Sequence, residues 1–198
     1  ISRRNRIWPA AGVRCSAERL GGPRPPRLTP VGEALRLERH PIDPNYPVSA
    51  AVLTVRQMAE AKGVSIDVDL TPELPQVDAD SGRLQQVMWN LLVNAIKFTP
   101  TGGKVSVASD APDPATVRLR VRDDGVGIDA DFLPFVFERF RQADGSATRQ
   151  YGGLGIGLSL VHSLVEAHGG SVEAHSEGLG RGAEFTVLLP TVGKRAEG

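Results

Sequence analysis

The stretch from Gln85 to Pro100, QQVMWNLLVNAIKFTP, reads as an amphipathic helix that stops at a proline. Leu84, Val87, Met88, Leu91, Leu92, Ala95 and Ile96 recur at spacings of three and four, which predicts one broad core-facing stripe. Asp80 suits the N-cap, because its carboxylate can accept from the orphan amides of the first turn. Pro100 and the Gly102–Gly103 pair end the element. The unusual feature lies on another face. Asn90, Asn94 and Lys97 follow one another at four and three, so they share one stripe. Asparagine is a mediocre helix former, since its amide competes for nearby backbone groups. Taken alone, such a trio is an ordinary solvated face. Three glycine-bearing stretches elsewhere in the chain change that reading.

The flanking segments supply a frame for the helix. VSAAVLTVRQMAEAK (48–62) has helical spacing and ends at Gly63, a natural C-terminal cap. VSIDVDL (64–70) alternates as a half-buried strand does. KVSVASD (104–110) and TVRLRVRD (116–123) alternate again around DAPDP, which predicts an antiparallel hairpin. A helix is expected from about 154 to 168. SVEAHSE (171–177) and AEFTVLLP (183–190) form a second hairpin around GLGRG. The fold class that follows is α+β, a two-layer α/β sandwich with a mixed, mostly antiparallel sheet packed on helices. No internal repeat is present.

Composition narrows the function classes. The chain has 198 residues, 40% of them hydrophobic, enough to bury one good core. It holds no run of about 18 apolar residues and no signal-peptide pattern, so a cytoplasmic protein without direct membrane contact is expected. Cys15 is the single cysteine, which excludes an internal disulfide and a cysteine-based metal site. Net charge is zero but unevenly spread. Residues 1–30 carry seven arginines and one acid, Glu18, giving +6 against −6 for the remainder. With five of the 15 prolines and no sustained period, residues 1–34 read as a linker or disordered arm. Its arginines are scattered among prolines without an aromatic platform, so nucleic acid is not the expected partner. Residues 35–192 form the domain, and 193–198 a C-terminal tail.

Three stretches bear on chemistry. RDDGVGID (122–129) places Asp123 at a strand end, followed by two glycines two apart. GGLGIGLSLV (152–161) places four glycines at a helix start. ERFRQADGSATRQYGG (138–153) joins them with small and polar residues and Arg139, Arg141 and Arg149. Glycines let backbone approach a ligand closely, and a helix N-terminus offers free amides and a positive dipole end to phosphates. The Asp123 carboxylate can accept from an exocyclic amine such as that of adenine. Side-chain amide oxygens suit Mg²⁺, which also takes phosphate oxygens and water. Lys97 can add a point charge near phosphates. Together these describe a metal–triphosphate site. GVGIDA (125–130) formally matches a dinucleotide fingerprint, but Asp123 and Asp124 would repel a pyrophosphate there and no βαβ crossover follows. No P-loop pattern occurs.

The chain resembles the catalytic ATP-binding domain of bacterial sensor histidine kinases, within the GHKL superfamily. NLLVNAIKFTP resembles the N box, DDGVGI the first glycine box, FVFERF the F box, GGLGIGL the second glycine box and GRGAEF the last glycine motif. All five stand in family order, and the resemblance runs from about residue 35 to 190. RLERHPID (36–43) resembles the link from the dimerisation helices to the ATP domain. The resemblance implies a Bergerat-type fold, ATP and Mg²⁺ as cofactors, and a role in two-component phosphorelay signalling. It makes Asn94 the Mg²⁺ ligand, with Asn90 beside it, Lys97 near the phosphates and Arg139 as a phosphate contact. Those three, Asn90, Lys97 and Arg139, are its catalytic residues. Asp123 would bind the adenine amine, with Gly125 and Gly127 shaping the purine pocket. Gly153, Gly155 and Gly157 would seat the phosphates, with Leu154 and Leu158 lining the site. Phe137 joins the cofactor-binding set, and with Phe140 is expected to act by packing as an anchor for an ATP lid at about 141–151.

Inside the superfamily, gyrase-type and chaperone-type relatives keep a glutamate four residues before the metal-binding asparagine. Asn90 occupies that position and cannot act as a general base. The resemblance therefore implies a kinase that holds ATP and passes its γ-phosphoryl group to a histidine on a dimerisation domain, with a response-regulator receiver domain as further partner. The alternative is a nucleotide-binding regulatory module or degenerate fragment without kinase activity. None of His40, His162, His168 and His175 stands in the family's acceptor context. The dimerisation helices are not matched, and residues 1–30 resemble nothing in the family.

Overall fold

The structure, a computed structural model, describes residues 36–139 and 156–192. The arm at 1–34, the lid at 141–151, Phe140, Gly153, Leu154, Gly155 and the tail at 193–198 lie outside the described residues.

Five strands form the main sheet: β2 (Ser65–Leu70), β4 (Lys104–Asp113), β5 (Thr116–Asp123), β6 (Ser171–His175) and β7 (Ala183–Pro190). They lie in the order β2-β4-β5-β7-β6. All neighbours are antiparallel except β2 and β4, which run parallel. The helices α1 (Asn45–Lys62), α2 (Ser81–Phe98) and α3 (Gly157–Ala167) supply the second layer, and a short 3₁₀ turn spans Leu133–Phe135. A small second sheet pairs β1 (His40–Ile42) with β3 (Val77–Ala79). The expected sandwich is therefore the observed architecture, with its two hairpins in place. Several limits move. Helix α1 starts three residues earlier, with Pro47 in its first turn where a missing N–H costs nothing. Strand β4 runs on to Asp113, past an irregularity between Asp110 and Asp113, and the turn is only Pro114–Ala115. Strand β6 stops at His175, and α3 begins at Gly157 rather than 154.

The layers join through one core. The apolar stripe of α2 is buried throughout, from Leu84 to Ile96. It meets Val48, Val52 and Val55 of α1, Leu164 of α3, and the inward rows Val105/Val107, Val117/Leu119/Val121 and Phe185/Val187/Leu189 of the sheet. Burying a side chain of this size contributes about 1.5–3 kcal/mol each, so α2 is the element on which the layer depends. Both ends of α2 are capped. The Asp80 carboxylate accepts from Arg83 N at 3.0 Å, as the sequence predicts. At the other end Thr99 N and Oγ1 donate to Ala95 O, Lys62 Nζ donates to Ile96 O (2.8 Å) and Lys97 O (2.6 Å), and Val126 N donates to Phe98 O (3.1 Å). The last four carbonyls, normally orphans, thus all have donors. Among the described residues no helix is long and apolar enough to cross a membrane.

His168 ties α3 to the start of α2. Its ring is 2% exposed, Nδ1 bonds to Leu164 O at 2.7 Å, and Nε2 accepts from Asp80 N at 3.0 Å. The Asp80 N–H can only donate, so the proton sits on Nδ1 and the ring is neutral. Burial holds the imidazole below its usual pKa of 6.5, helped by Arg39 and opposed by the Leu164 carbonyl, Asp80 and Asp78. On acidification the unfolded chain therefore takes the proton first. The stability this ring contributes is present above about pH 6.5 and declines as pH falls from there toward the folded pKa. Thermal melts should show that decline, and His168→Gln should flatten it while lowering stability at every pH. An equally steep acid slope in the variant would assign the effect to other groups.

Candidate functional site

The amide stripe of α2 does not face open solvent. Asn90 and Asn94 are half-buried, and they lie against the first residue of α3. A Cβ built on Gly157 would stand 3.3 Å from Asn90 Oδ1 and 3.9 Å from Asn94 Nδ2. Asn90 Nδ2 donates to Gln86 O at 2.8 Å, which commits one of its two N–H donors to the helix, with Oδ1 turned toward Gly157. The N-cap of α3 is Ile156, whose side chain forms no capping bond, so the first-turn amides are not capped by their own sequence. One helical turn further along, Lys97 is half-buried, with Nζ 4.9 Å from the centre of the Phe98 ring. Burial lowers its pKa from the usual 10.5.

Beside the stripe, Asp123 ends the inward row of β5. The alternation Val117, Leu119, Val121 places it on the helix-facing side, where it is 6% exposed. Opposite it stand Val105 of β4 and the small Ala183 of β7. Its carboxylate accepts from the backbone amide of Gly125 at 2.9 Å, and the Ala183 amide lies near enough to favour its charge. Burial raises its pKa above the usual value; the two amides pull it down and Asp124 pushes it up. Asp124 in turn secures the backbone, since its Oδ1 accepts from Lys104 N at 2.8 Å and ties the loop to the start of β4.

The loop after Asp123 is clamped on two sides. A Cβ at Gly125 would come within 2.3 Å of Phe98 O, the end of α2. Gly127 has φ +71° and would collide with Gly178 O at 2.1 Å. Only glycine fits either contact. Gly180 N donates to Val126 O (2.7 Å) and Gly182 N to Gly125 O (3.1 Å), so the β6–β7 turn is stitched to this loop.

Over residues 79–193 the chain matches the family described as histidine kinase-, DNA gyrase B-, and HSP90-like ATPase. The chain belongs to that family. Among its curated relatives, hybrid signal transduction histidine kinase D of Dictyostelium discoideum is 34% identical over 192 residues, covering 82% of this chain and 12% of that protein. Histidine protein kinase DivJ of Caulobacter vibrioides is 37% identical over 160 residues, covering 81% of this chain and 26% of that protein. The chain thus spans only 12% and 26% of the length of these two relatives. Among solved structures, full-length ShkA in complex with AMPPNP has a TM-score of 0.70 at 35% identity, covering 82% of this chain and 33% of that one. The mycobacterial sensor histidine kinase MprB has a TM-score of 0.68 at 29% identity, covering 77% of this chain and 97% of that one.

In this histidine kinase-like domain the structure brings together Asn90, Asn94 and Gly157, and separately Asp123, Gly125 and Gly127. Leu158 is half-buried and packs against the core. Phe137 makes packing contacts within the protein: its ring lies 5.7 Å from His162 and 6.3 Å, edge-on, from Phe185. Arg139 is exposed at the last described position before residue 140. The expectations for Gly153, Leu154 and Gly155 concern positions outside the described residues. Among the described residues no three His, Cys, Asp or Glu side chains cluster as a metal site, so a cation here would rely on amide oxygen, phosphate and water. Sequence reasoning missed Lys62 as the C-terminal cap of α2, and it missed Ser176, which touches both glycine loops. A basic residue at the end of α1 predicts a cap for that helix itself, so nothing local pointed Lys62 toward the end of α2.

Proposed function

We propose that this chain binds Mg-ATP and is the catalytic module of a two-component sensor histidine kinase, passing the γ-phosphoryl group of ATP to a histidine on a dimerisation domain outside these 198 residues. A response-regulator receiver domain is the further partner. The observation that carries this reading is the meeting of Asn90 and Asn94 with Gly157, two distant segments forming one polar seat at an uncapped helix start. The AMPPNP held by full-length ShkA supports a nucleotide in that seat.

In this reading Asp123 accepts the adenine amine, Gly125 and Gly127 let the base approach the backbone, and the amides of α3 from Gly157 onward hold phosphate oxygens. Asn94 is the side chain suited to Mg²⁺, because it carries a hard amide oxygen and lies half-buried beside that helix start. The ion would neutralise charge across the terminal phosphates. Lys97 adds a positive charge, and Arg139 at the edge contacts phosphate. Asn90 keeps the place where a hydrolase needs a base, and an amide cannot take a proton from water. Transfer then depends on delivering an imidazole in line, because catalysis of this step is mainly positioning and charge stabilisation. The four histidines of the chain do not provide it. His168 is buried, His162 pairs with Glu166 at 3.1 Å, and His40 and His175 sit exposed on short strands.

The test is incubation with γ-labelled ATP and Mg²⁺, alone and with a fragment carrying dimerisation helices and an acceptor histidine. The chain alone should neither label itself nor release phosphate above a trace. The fragment should acquire acid-labile label, and Asn94→Ala should reduce that label by at least about tenfold, the loss of one charge-assisted contact. Brisk phosphate release would instead favour the gyrase pattern, and binding of ATP with no transfer to any acceptor would favour a regulatory module.

A further inference from the structure

We infer that Ser176 is a positioning residue of the base pocket, acting through Asp123; the inference rests on the nucleotide reading above. Ser176 stands just past the end of β6 and is half-buried. Its single hydroxyl joins two loops. Oγ accepts from Ile128 N at 3.0 Å and from Gly178 N at 3.3 Å, and it donates to Gly182 O at 2.6 Å, the nearer of two carbonyls in reach; Gly178 O lies at 3.4 Å. A serine hydroxyl has one proton and two lone pairs, so these three bonds use its full capacity.

The partners are the two loops that frame Asp123. Ile128 follows Gly127 directly, and Gly182 precedes Ala183, which pairs with Asp123 across the β5–β7 ladder. Gly182 also reaches Gly125 O through its own N–H, while Gly125 N holds Asp123 Oδ1. The chain of contacts from Ser176 to the carboxylate is therefore short on both sides. Through Gly182 it fixes the strand start that carries the Ala183 amide, and through Ile128 it fixes the exit of the loop that carries Gly125. Gly127 would collide with Gly178 O if it carried a Cβ, so the two loops touch at backbone distance with no side chain between them. Such a contact has little packing to hold it, and hydrogen bonds must set its register. Releasing the Ser176 hydroxyl leaves the Gly125–Gly182 and Val126–Gly180 bonds, so the loops stay together but can slide. Sliding turns the carboxylate away from the line an exocyclic amine requires.

A residue that acted only on stability would weaken every nucleotide alike. A residue that aims Asp123 must instead change the discrimination between bases. The experiment measures the affinity of the 198-residue chain for ATP and for purine riboside triphosphate, which lacks the exocyclic amine. A hydrogen bond to a charged acceptor predicts that the unmodified chain prefers ATP by about tenfold or more. Ser176→Ala should cut that preference to below about threefold, with the phosphate-dependent part of binding retained. Ser176→Cys keeps the size of the side chain with a poor hydrogen-bonding atom, and it should lie between the two; it also serves if the alanine variant does not fold. A preference of about tenfold that survives in either folded variant overturns the role of Ser176 and leaves Asp123 in place. No preference in the unmodified chain overturns the reading of Asp123 itself.

Discussion

Asp123→Asn should lose most of the affinity for ATP while the nucleotide-free protein melts at the same temperature or higher. The two effects have one cause. The carboxylate is an acceptor-only group, 6% exposed, and burial raises its pKa. A raised carboxyl pKa means that the stability of the protonated form is present below the ordinary value of 3.8 and is lost as pH rises through the folded value. At neutral pH the ionised group is thus a cost, only partly offset by the amides of Gly125 and Ala183. An asparagine oxygen can keep the 2.9 Å bond to Gly125 N without carrying charge. It cannot match the carboxylate toward an amine, because its nitrogen competes for the same position. Hydrogen bonds to charged groups contribute about 1.5–3 kcal/mol, which translates to roughly tenfold to a hundredfold in affinity. Titration calorimetry with ATP and GTP, beside thermal melts of the free protein, measures both parts. Equal losses for the two nucleotides would remove Asp123 from base recognition. A markedly lower melting temperature would mean that the ionised form is needed to hold the loop.

The second large effect is steric. Gly182 has φ +70°, and a Cβ there would stand 2.0 Å from Asp123 O, 2.9 Å from Asp123 C and 3.0 Å from Asp124 Cα. All three are backbone atoms, so no side chain can rotate away. Gly182→Ala must push the start of β7 off the end of β5, break the pairing of Asp123 with Ala183, and lose the bond from Gly182 N to Gly125 O. We expect a loss of about 3 kcal/mol or more in stability and no measurable nucleotide binding. Gly180 is the control within the same turn. Its φ is +75°, but a Cβ there meets nothing within 4 Å. Gly180→Ala should cost only the backbone strain of a left-handed alanine, about 1–2 kcal/mol. Denaturant unfolding of both variants separates contact from conformation. Similar losses at the two positions would show that backbone strain alone governs this turn.

Much of this fold is legible in the order of residues. The stripe from Leu84 to Ile96, the Asp80 cap and the Gly63 terminator define their helices through local chemistry, and local chemistry is what a sequence displays. The hairpin strands show the same clarity, since alternation along a strand assigns every side chain to a face. It even places Asp123, fourth in the row after Val117, Leu119 and Val121. The short strands escaped for a physical reason. Segments as short as His40–Ile42 and Val77–Ala79 cannot display a period, and their pairing joins segments far apart in the chain. The parallel pairing of β2 with β4 was equally hidden, because it depends on the crossover through α2 rather than on either strand.

Periodicity, capping and the chemistry of single side chains were enough to define the layers, the helix that joins them, the amide stripe and the carboxylate at the strand end. What those groups face came from tertiary packing alone. Packing set Asn90 and Asn94 against Gly157, capped α2 with Lys62, buried His168 between two helix ends, and gave Ser176 its three bonds across two glycine loops. Each of these is a contact between segments far apart in the chain or between backbone atoms without side-chain identity. Such contacts are created by the register of strands and the close approach of glycines, and neither leaves a pattern in the order of residues.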